Sequence, residues 1–596
     1  MSTDKNSPVV ESTVVKGNQA TNDKKSAPSQ TKTASNDTTS TQSIADLKQS
    51  AVAANTSNTQ SDEQAQKKAK IKDDLAAEAK AKKAEESNEF DTAAAPKTAA
   101  KTNNKTDTKA EDKPADTSKT ETAVKAKAAA DSDKTETANT ATKAKEAMQK
   151  TTSDKPATST KKKAVTKLSA GQHRVAVLGG NRIPFARSNG PYADVSNTDM
   201  LTAALNGLIE RYNLQDQQLG EVVAGAVMKL SRDINLTRES VLNTALDPHT
   251  PSYDISQACG TGLQATFASA NKIALGVIDS AIIGGVDTTS DAPIAIGDGL
   301  RKVIIKLGAA KTNKQRLQAL MGLNPKDLID APQNGEPRTG LSMGDHQAIT
   351  TLEWNISRED QDDLAFKSHQ NLARAYEDGF FDDLITPYKG LTRDNNLRPD
   401  TTLEKLAKLK PVFGKKNANP TMTAANSTPL TDGASCVLLG TDEWAKEHGL
   451  KPLAYITHQE TAAVDFIGKS GNTEGLLMAP AYAVPRMLER AGLTLQDFDF
   501  YEIHEAFASQ VLSTLAAWED ESFCQERLGL DAPLGSIDRS KLNVNGSSLA
   551  AGHPFAATGG RILATAAKLL DQKGSGRALI SICAAGGQGV TCILEK

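Results

Sequence analysis

Four side chains in this 596-residue sequence are of types that carry acyl chemistry: Cys259, His553, Cys583 and His504. Cys259 lies in Ser256-Gln257-Ala258-Cys259-Gly260-Thr261-Gly262, between an extended run at 251–255 and an Ala-rich, helix-like run at 263–275. A cysteine where a strand turns into a helix meets unpaired N–H groups and the positive end of the helix dipole. Both favour thiolate and can bring a cysteine pKa from about 8.5 to between about 3.5 and 7.5. Taken alone, Cys259 also fits a small buried packing group. A nucleophile needs a base, usually histidine, and attack on a thioester makes an oxyanion that needs preorganised donors. His553 stands between Gly552 and Pro554, and His504 follows an apolar strand pattern. Cys583 is followed by Ala584-Ala585-Gly586-Gly587-Gln588-Gly589, a backbone able to approach a ligand and expose N–H groups. For each histidine a satisfied structural imidazole remains the alternative, and for Cys583 a buried apolar residue. A second cysteine near the same carbon could act as base toward a weakly acidic C–H. Such a set describes acyl transfer with carbon–carbon bond formation or cleavage, whereas a cysteine protease needs no second cysteine.

The elements that must position these groups alternate. Strand patterns are expected at 174–180, 221–227, 251–255, 280–286, 432–439, 452–456, 498–503, 541–545, 577–583 and 590–594. Helical spacing is expected at 199–212, 263–275 and 483–491, and from Gly552-His553-Pro554 to 570. This alternation indicates an α/β architecture with a largely buried sheet, in which groups at strand ends converge on one crevice. Each half contains an apolar strand running into a Gly-Gly turn, Gly284-Gly285 in one and Gly586-Gly587 in the other, which suggests two similar subdomains packed together. Residues 289–419 are more charged and more helical, with loops around Pro325 and at Asn334-Gly335-Glu336-Pro337, and read as an inserted lid or loop domain. Within it a long amphipathic pattern ends near Ala375, with a helix start capped by Ser357. Thr421 to Thr428 is a small, hydroxyl-rich loop suited to a ligand, or equally a plain polar turn. The expected division is 1–172, 173–440 including the insertion, and 441–596.

Composition sets the outer limits. Residues 1–172 are mostly Lys, Ala, Thr, Ser, Asp and Asn, with Phe90 the one aromatic, and are expected to be disordered because they lack apolar area to offset chain entropy. That segment has neither the apolar core of a secretory signal nor the arginines of a transit peptide. A net charge of −3 and interleaved Lys and acidic residues give no case for nucleic acid. No apolar run reaches transmembrane length. Five scattered cysteines form neither a disulfide framework nor a metal pattern, which fits a reducing cytoplasm.

From about His173 to Lys596 the sequence resembles the thiolase family. The motifs are Cys259 in Gln257-Ala258-Cys259-Gly260-Thr261-Gly262, His504-Glu505-Ala506-Phe507-Ala508, Asn543-Val544-Asn545-Gly546 through Gly552-His553-Pro554, and Cys583 through Gly589. The resemblance implies the thiolase fold and the reaction 3-oxoacyl-CoA plus CoA to acyl-CoA plus acetyl-CoA, with acetoacetyl-CoA a candidate substrate. It implies that Cys259 carries the acyl group, that His553 activates it and holds the thioester oxygen, and that Cys583 moves a proton at the acetyl α-carbon. Backbone N–H groups of Cys259 and Ala585 would form an oxyanion hole. Met343, Ala424, Ser427 and Thr428 would line the pantetheine and acyl pocket. Coenzyme A would be a substrate, with no other cofactor and no metal, and a homodimer or homotetramer is the family expectation. Many thiolases carry Asn where this chain has His504, a variant similar to the thiolase subunits of fatty-acid oxidation complexes, which have hydratase and dehydrogenase partners. Ser342 stands where short-chain biosynthetic thiolases often have His.

Two rivals are a decarboxylating ketoacyl synthase of the same fold and a non-catalytic acyl-CoA or lipid binder. Cys583 speaks against the first, because decarboxylation makes its proton transfer unnecessary, and the three reactive groups together speak against the second. Removing residues 1–172 is expected to leave turnover nearly unchanged, and loss of the fold on truncation, read by circular dichroism, would refute the assignment of disorder to that segment.

Overall fold

The computed structural model describes residues 173–596, apart from 325–327, 331, 333, 334 and 418. The segment 1–172 and the loop positions Pro325 and Asn334 lie outside the described residues. Five strands make up the first half of the sheet, β1 (Val175–Arg182), β2 (Glu221–Ala224), β3 (Ser252–Asp254), β4 (Ser280–Asp287) and β5 (Thr431–Gly440), and a two-residue strand at Ala186–Arg187 pairs with the start of β5. They lie side by side in the order β3-β2-β4-β5-β1. The second half has β6 (Ala454–Ala463), β7 (Phe500–Ile503), β8 (Arg577–Ala584) and β9 (Gln588–Glu595), in the order β7-β8-β9-β6. Beyond β7 the backbone at Leu542 bridges Tyr501 in parallel, where β3 stands in the first half. In both halves the outer pairs are parallel, and the strand that comes last in sequence runs antiparallel to both neighbours. The halves therefore share one topology, and they join where Val175, Ala176 and Val177 of β1 pair with Ile456, Tyr455 and Ala454 of β6.

The helices relevant here are α1 (Asn197–Tyr212), α2 (Leu236–Leu242), α3 (Thr261–Ala274), α4 (Asp298–Ala309), α5 (Asn313–Met321), α6 (Met343–Glu353), α7 (Arg358–Glu377), α8 (Ala479–Ala491), α9 (Ala508–Glu519) and α10 (Thr558–Lys573). Alternation along the strands sorts them into layers, because successive side chains face opposite sides. Ala176, Leu178, Ile282 and Leu438 pack on Leu201, Leu205 and Leu208 of α1. Their neighbours Val177, Ile283 and Val437 pack instead on Phe267 of α3 and Ile562 of α10, in one core with Ile580 and Ile582 of β8. On the far side, Leu579 and Ile593 pack on Met487 of α8 and Leu515 of α9. Helices α3 and α10 thus lie in the middle, covered by a sheet half on each side.

The two central helices approach closely enough to require glycine. A Cβ on Gly559 would sit 2.3 Å from the backbone nitrogen of Leu263, and one on Gly262 would sit 2.7 Å from the carbonyl oxygen of Ala556. This crossing brings together the turns that precede the two helices, which hold Cys259 and His553.

Three sequence expectations are corrected. Residues 541–545 form no strand: a 3₁₀ turn covers Arg539–Lys541, and Asn543 has a φ of 46°. The Asn543 side chain replaces the ladder, accepting from the Ile503 N–H and donating to the Ile503 carbonyl, each at 2.9 Å. The helix expected to open at Gly552-His553-Pro554 begins at Thr558, after a 3₁₀ turn at Phe555–Ala557. Its delay has a cause: the Ala556 N–H is taken by the Asp287 carboxylate at 2.8 Å. The long pattern ending near Ala375 is two helices, α6 and α7, parted at Asn355 with a φ of 49°. Ser357 caps the second, its hydroxyl accepting from the Asp360 N–H at 3.0 Å. The chain between β4 and β5 carries α4 to α7 and a two-stranded antiparallel sheet of Ala295–Ile296 with Ile329–Asp330. Among the described residues no helix is long and apolar enough to cross a membrane.

Gly559→Ala is expected to cost about 1–3 kcal/mol through overpacking of the central crossing. The readout is the urea midpoint, and an unchanged midpoint would show that α3 and α10 can separate freely.

Candidate active site

Cys259 sits on a tight turn between β3 and α3. Ala258 is held in the left-handed region at a φ of 47°, where a non-glycine residue is strained. Thr261 braces the turn, its hydroxyl accepting from the Gln257 N–H at 2.8 Å and donating to the Ala258 carbonyl at 2.7 Å. The Gln257 amide donates to Gln588 at 2.8 Å, tying this turn to the glycine-rich loop after Cys583. The Cys259 sulfur lies 3.1 Å from Nε2 of His553. Backbone N–H groups of Ala585 and of Cys259 itself also point to it.

The expectation of a resting thiolate is corrected. Burial pushes the Cys259 thiol up to about 12, outweighing those two donors, and the buried Asp287 carboxylate adds to the rise. The residue stays half-buried, and this opening tempers the shift. His553 moves the other way: burial first, then the charge of Arg561, brings it down to about 3. Burial thus favours the neutral form of each partner, thiol and imidazole.

His553 is fixed from three sides. Its backbone N–H donates to the Thr431 hydroxyl at 2.7 Å, and its Nδ1 lies 2.5 Å from the Thr558 hydroxyl. Gly552 before it has a φ of 105°, and a Cβ there would meet the Thr431 methyl at 2.7 Å. Asp287, at the end of β4, accepts from the N–H groups of Val227, Met228 and Ala556, and burial pushes its carboxyl up to about 7.

His504 follows β7 and is fully buried, its ring centroid 4.1 Å from that of His553. Its Nδ1 is 2.8 Å from the Ser548 hydroxyl, and its Nε2 is buried without a partner among the described residues. Burial, with the neighbouring His553 and Arg561, holds its pKa well below the usual histidine range. Glu505 next to it accepts from Ser368, Asn543 and the Leu549 N–H, which anchors the loop. Cys583 ends near the tip of β8 at 2% exposure, and its thiol is pushed well up by burial and by the adjoining Cys259.

Met343 packs in the same apolar cluster as Cys583, with Met422, Leu477, Phe466 and Phe507. Ser342 caps α6 instead of facing the site, accepting from the Asp345 N–H at 3.1 Å. Ser427 bridges Phe507, and Thr428 donates from its N–H and hydroxyl to the Ala506 carbonyl, at 3.2 and 2.8 Å. These two residues support the loop after His504. Ala424 is exposed at the far turn of its loop, and no contact in the described residues joins it to Cys259, His553 or Cys583. The structure thus gathers Cys259, His553, His504 and Cys583, with Met343 on the adjoining wall. Sequence reasoning missed Asp287, Ser548, Thr558 and Arg561. Arg561 had a signal, a cation in the first turn of α10 among small and apolar residues. Ser548 had none beyond its place in a small-residue turn.

The profile described as "Thiolase, N-terminal domain" matches residues 175–443, and "Thiolase, C-terminal domain" matches residues 450–596. A 3-ketoacyl-CoA thiolase of Yersinia enterocolitica is 39% identical over 429 residues, covering 71% of this chain and 97% of the relative. One from Alteromonas mediterranea is 41% identical over 429 residues, with the same coverage of 71% and 97%. Human mitochondrial 3-ketoacyl-CoA thiolase in complex with CoA superposes with a TM-score of 0.59 at 27% identity, covering 72% of this chain and 100% of that one. The Bacillus anthracis acetyl-CoA acetyltransferase gives 0.59 at 29% identity, with coverage of 72% and 100%.

Because the thiol is raised and the imidazole lowered, the thiolate fraction of Cys259 should grow about tenfold per pH unit between pH 6 and 8. Iodoacetamide labelling of Cys259, followed by peptide mapping, reads that slope; a rate flat with pH would mean a preformed thiolate–imidazolium pair.

Proposed function

The chain belongs to the thiolase family, acyltransferases that move an acyl group between a cysteine and coenzyme A, and we propose that Cys259 is that cysteine. The observation that carries this reading is the 3.1 Å contact between His553 Nε2 and the Cys259 sulfur, on which two backbone N–H groups also converge. The proposed substrate is a 3-oxoacyl-CoA, in the step that closes a round of fatty-acid β-oxidation. A base is required because burial disfavours the thiolate.

The Cys259 S–H proton passes to His553 Nε2 while the sulfur attacks the 3-keto carbon. The oxygen of the tetrahedral adduct points to the N–H groups of Cys259 and Ala585. The C2–C3 bond breaks and its electron pair goes to C2, giving the enolate of acetyl-CoA, whose oxygen lies against His553 and His504. Cys583 gives its S–H proton to C2 and acetyl-CoA departs, leaving the acyl group on Cys259. CoA then enters and returns a proton to Cys583. Its sulfur attacks the acyl carbon, the Cys259–acyl bond breaks, and Cys259 regains its proton from His553. Atoms and protons balance with CoA as a substrate and with no further cofactor. Met343 and the apolar cluster around Cys583 are proposed to receive the acyl chain.

A homodimer or homotetramer, and association with hydratase and dehydrogenase subunits, belong to this proposal on family grounds. A cytoplasmic setting is supported by five cysteines that are all free.

A 3-oxoacyl-CoA supplied with CoA should yield acetyl-CoA, and failure with both short and long chains would overturn the assignment. Cys583→Ala should still take an acyl label on Cys259 while turnover falls by about 10²–10⁴-fold. Full turnover in that variant would remove Cys583 from proton transfer.

A further inference from the structure

Two imidazoles face each other in the site, and the proposed chemistry asks opposite things of them. His553 must present a lone pair at Nε2 to take the proton of Cys259, which puts its own proton on Nδ1, toward Thr558. His504 would present Nε2 to the thioester oxygen, and a lone pair there would repel an oxyanion. Which ring nitrogen of a histidine carries the proton is set by the partner of the other nitrogen.

The partner of His504 Nδ1 is the Ser548 hydroxyl at 2.8 Å. Behind that hydroxyl stands Arg561, whose Nη2 reaches the Ser548 oxygen at 2.9 Å and the Ser547 oxygen at 3.1 Å. A guanidinium only donates, so this contact occupies a lone pair of the Ser548 oxygen. Ser548 is fully buried, and its hydroxyl proton has one acceptor among the described contacts, His504 Nδ1. An unpaired buried hydroxyl proton costs about 1–3 kcal/mol, so the O–H points at the ring. Nδ1 accepts, and the His504 proton resides on Nε2, the atom buried without a partner among the described residues, on a ring centred 4.1 Å from that of His553. Arg561 is itself pushed down only to about 10 and stays cationic at neutral pH, with Glu502 and Glu505 nearby.

We propose that Ser548, oriented by Arg561, is a positioning residue that locks His504 in the Nε2–H tautomer, so that the two facing imidazoles work as a proton acceptor and a hydrogen-bond donor. The relay ends in a neutral donor. A donor that carries no net charge can stabilise the enolate oxygen without offering it a proton to keep. The same arrangement gives a chemical meaning to the histidine in His504-Glu505-Ala506-Phe507: its ring reaches the oxygen directly, with no water between. This inference rests on the reading of Cys259 and His553 given above.

The direct test is ¹⁵N NMR of the full-length protein labelled at histidine, with the His504 signals identified by their loss in His504→Asn. The wild type should show a protonated Nε2 and an unprotonated Nδ1, and the reverse pattern would overturn the proposal without any further variant. Ser548→Ala should weaken that preference and lower kcat about tenfold or more, with KM changing by less than about threefold, and Ser548→Thr should restore both. Unchanged kcat in Ser548→Ala, with the protein folded, would also overturn it. Acyl labelling of Cys259 in the same variants separates the two levels. If wild type takes no label, the function assignment fails; if Ser548→Ala labels normally but shows the wild-type tautomer and wild-type kcat, only the relay fails.

Discussion

The close crossing of α3 and α10 is the constraint on which the site depends. Each helix follows a turn that holds one reactive group, Cys259 before α3 and His553 ahead of α10. The two side chains are 294 positions apart in sequence and meet at 3.1 Å only because glycines let the two backbones come together. Gly285 makes the same concession from the sheet side: a Cβ there would sit 2.1 Å from the Ala556 carbonyl oxygen. Close packing of this kind transmits small displacements, so the glycines bear on reactivity as much as on stability.

Around that crossing the protein keeps ionisable groups neutral. Cys259 and Cys583 are raised, and His504 and His553 are lowered, in each case chiefly by burial. Two further ionisable groups nearby do different work. Asp287 is spent on backbone N–H groups and shapes the His553 turn. Arg561 lies beneath both histidines, and its charge disfavours their protonated forms. A site built this way separates charge only when substrate supplies a reason, and the separation is then strong because little solvent screens it.

Much of this was legible in the sequence because it is written locally. The β3–turn–α3 junction, the apolar strand ending at Cys583 and the His504 strand each follow from a short run of residues. The Asn543 stretch was not, because its strand-like apolar pattern is overridden by one side chain that satisfies the Ile503 backbone in place of a ladder. The delayed start of α10 depends on Asp287, 269 positions away from Ala556. The resting state of Cys259 was misjudged for a related reason: motif position reveals a helix start, while desolvation depends on what the whole fold packs over it.

The long excursion between β4 and β5 carries a further consequence. Its two ends are zipped together by an unbroken antiparallel ladder from Ser280 with Gly440 to Asp287 with Gly433. Once the ends are fixed, the entropy of closing a loop grows only with the logarithm of its length, about 0.6 kcal/mol per doubling. The exposed part of the excursion, α4 and α5, can therefore change length at small entropic cost, whereas α7 is tied to the frame through Ser368 on Glu505 and Leu372 in the central core. The excursion also supplies Met343, in the wall beside Cys583. Evolution is thereby given two separable dials: the reacting groups and α7 are locked into the frame, while the exposed helices of the excursion can drift in length and sequence at little cost to it.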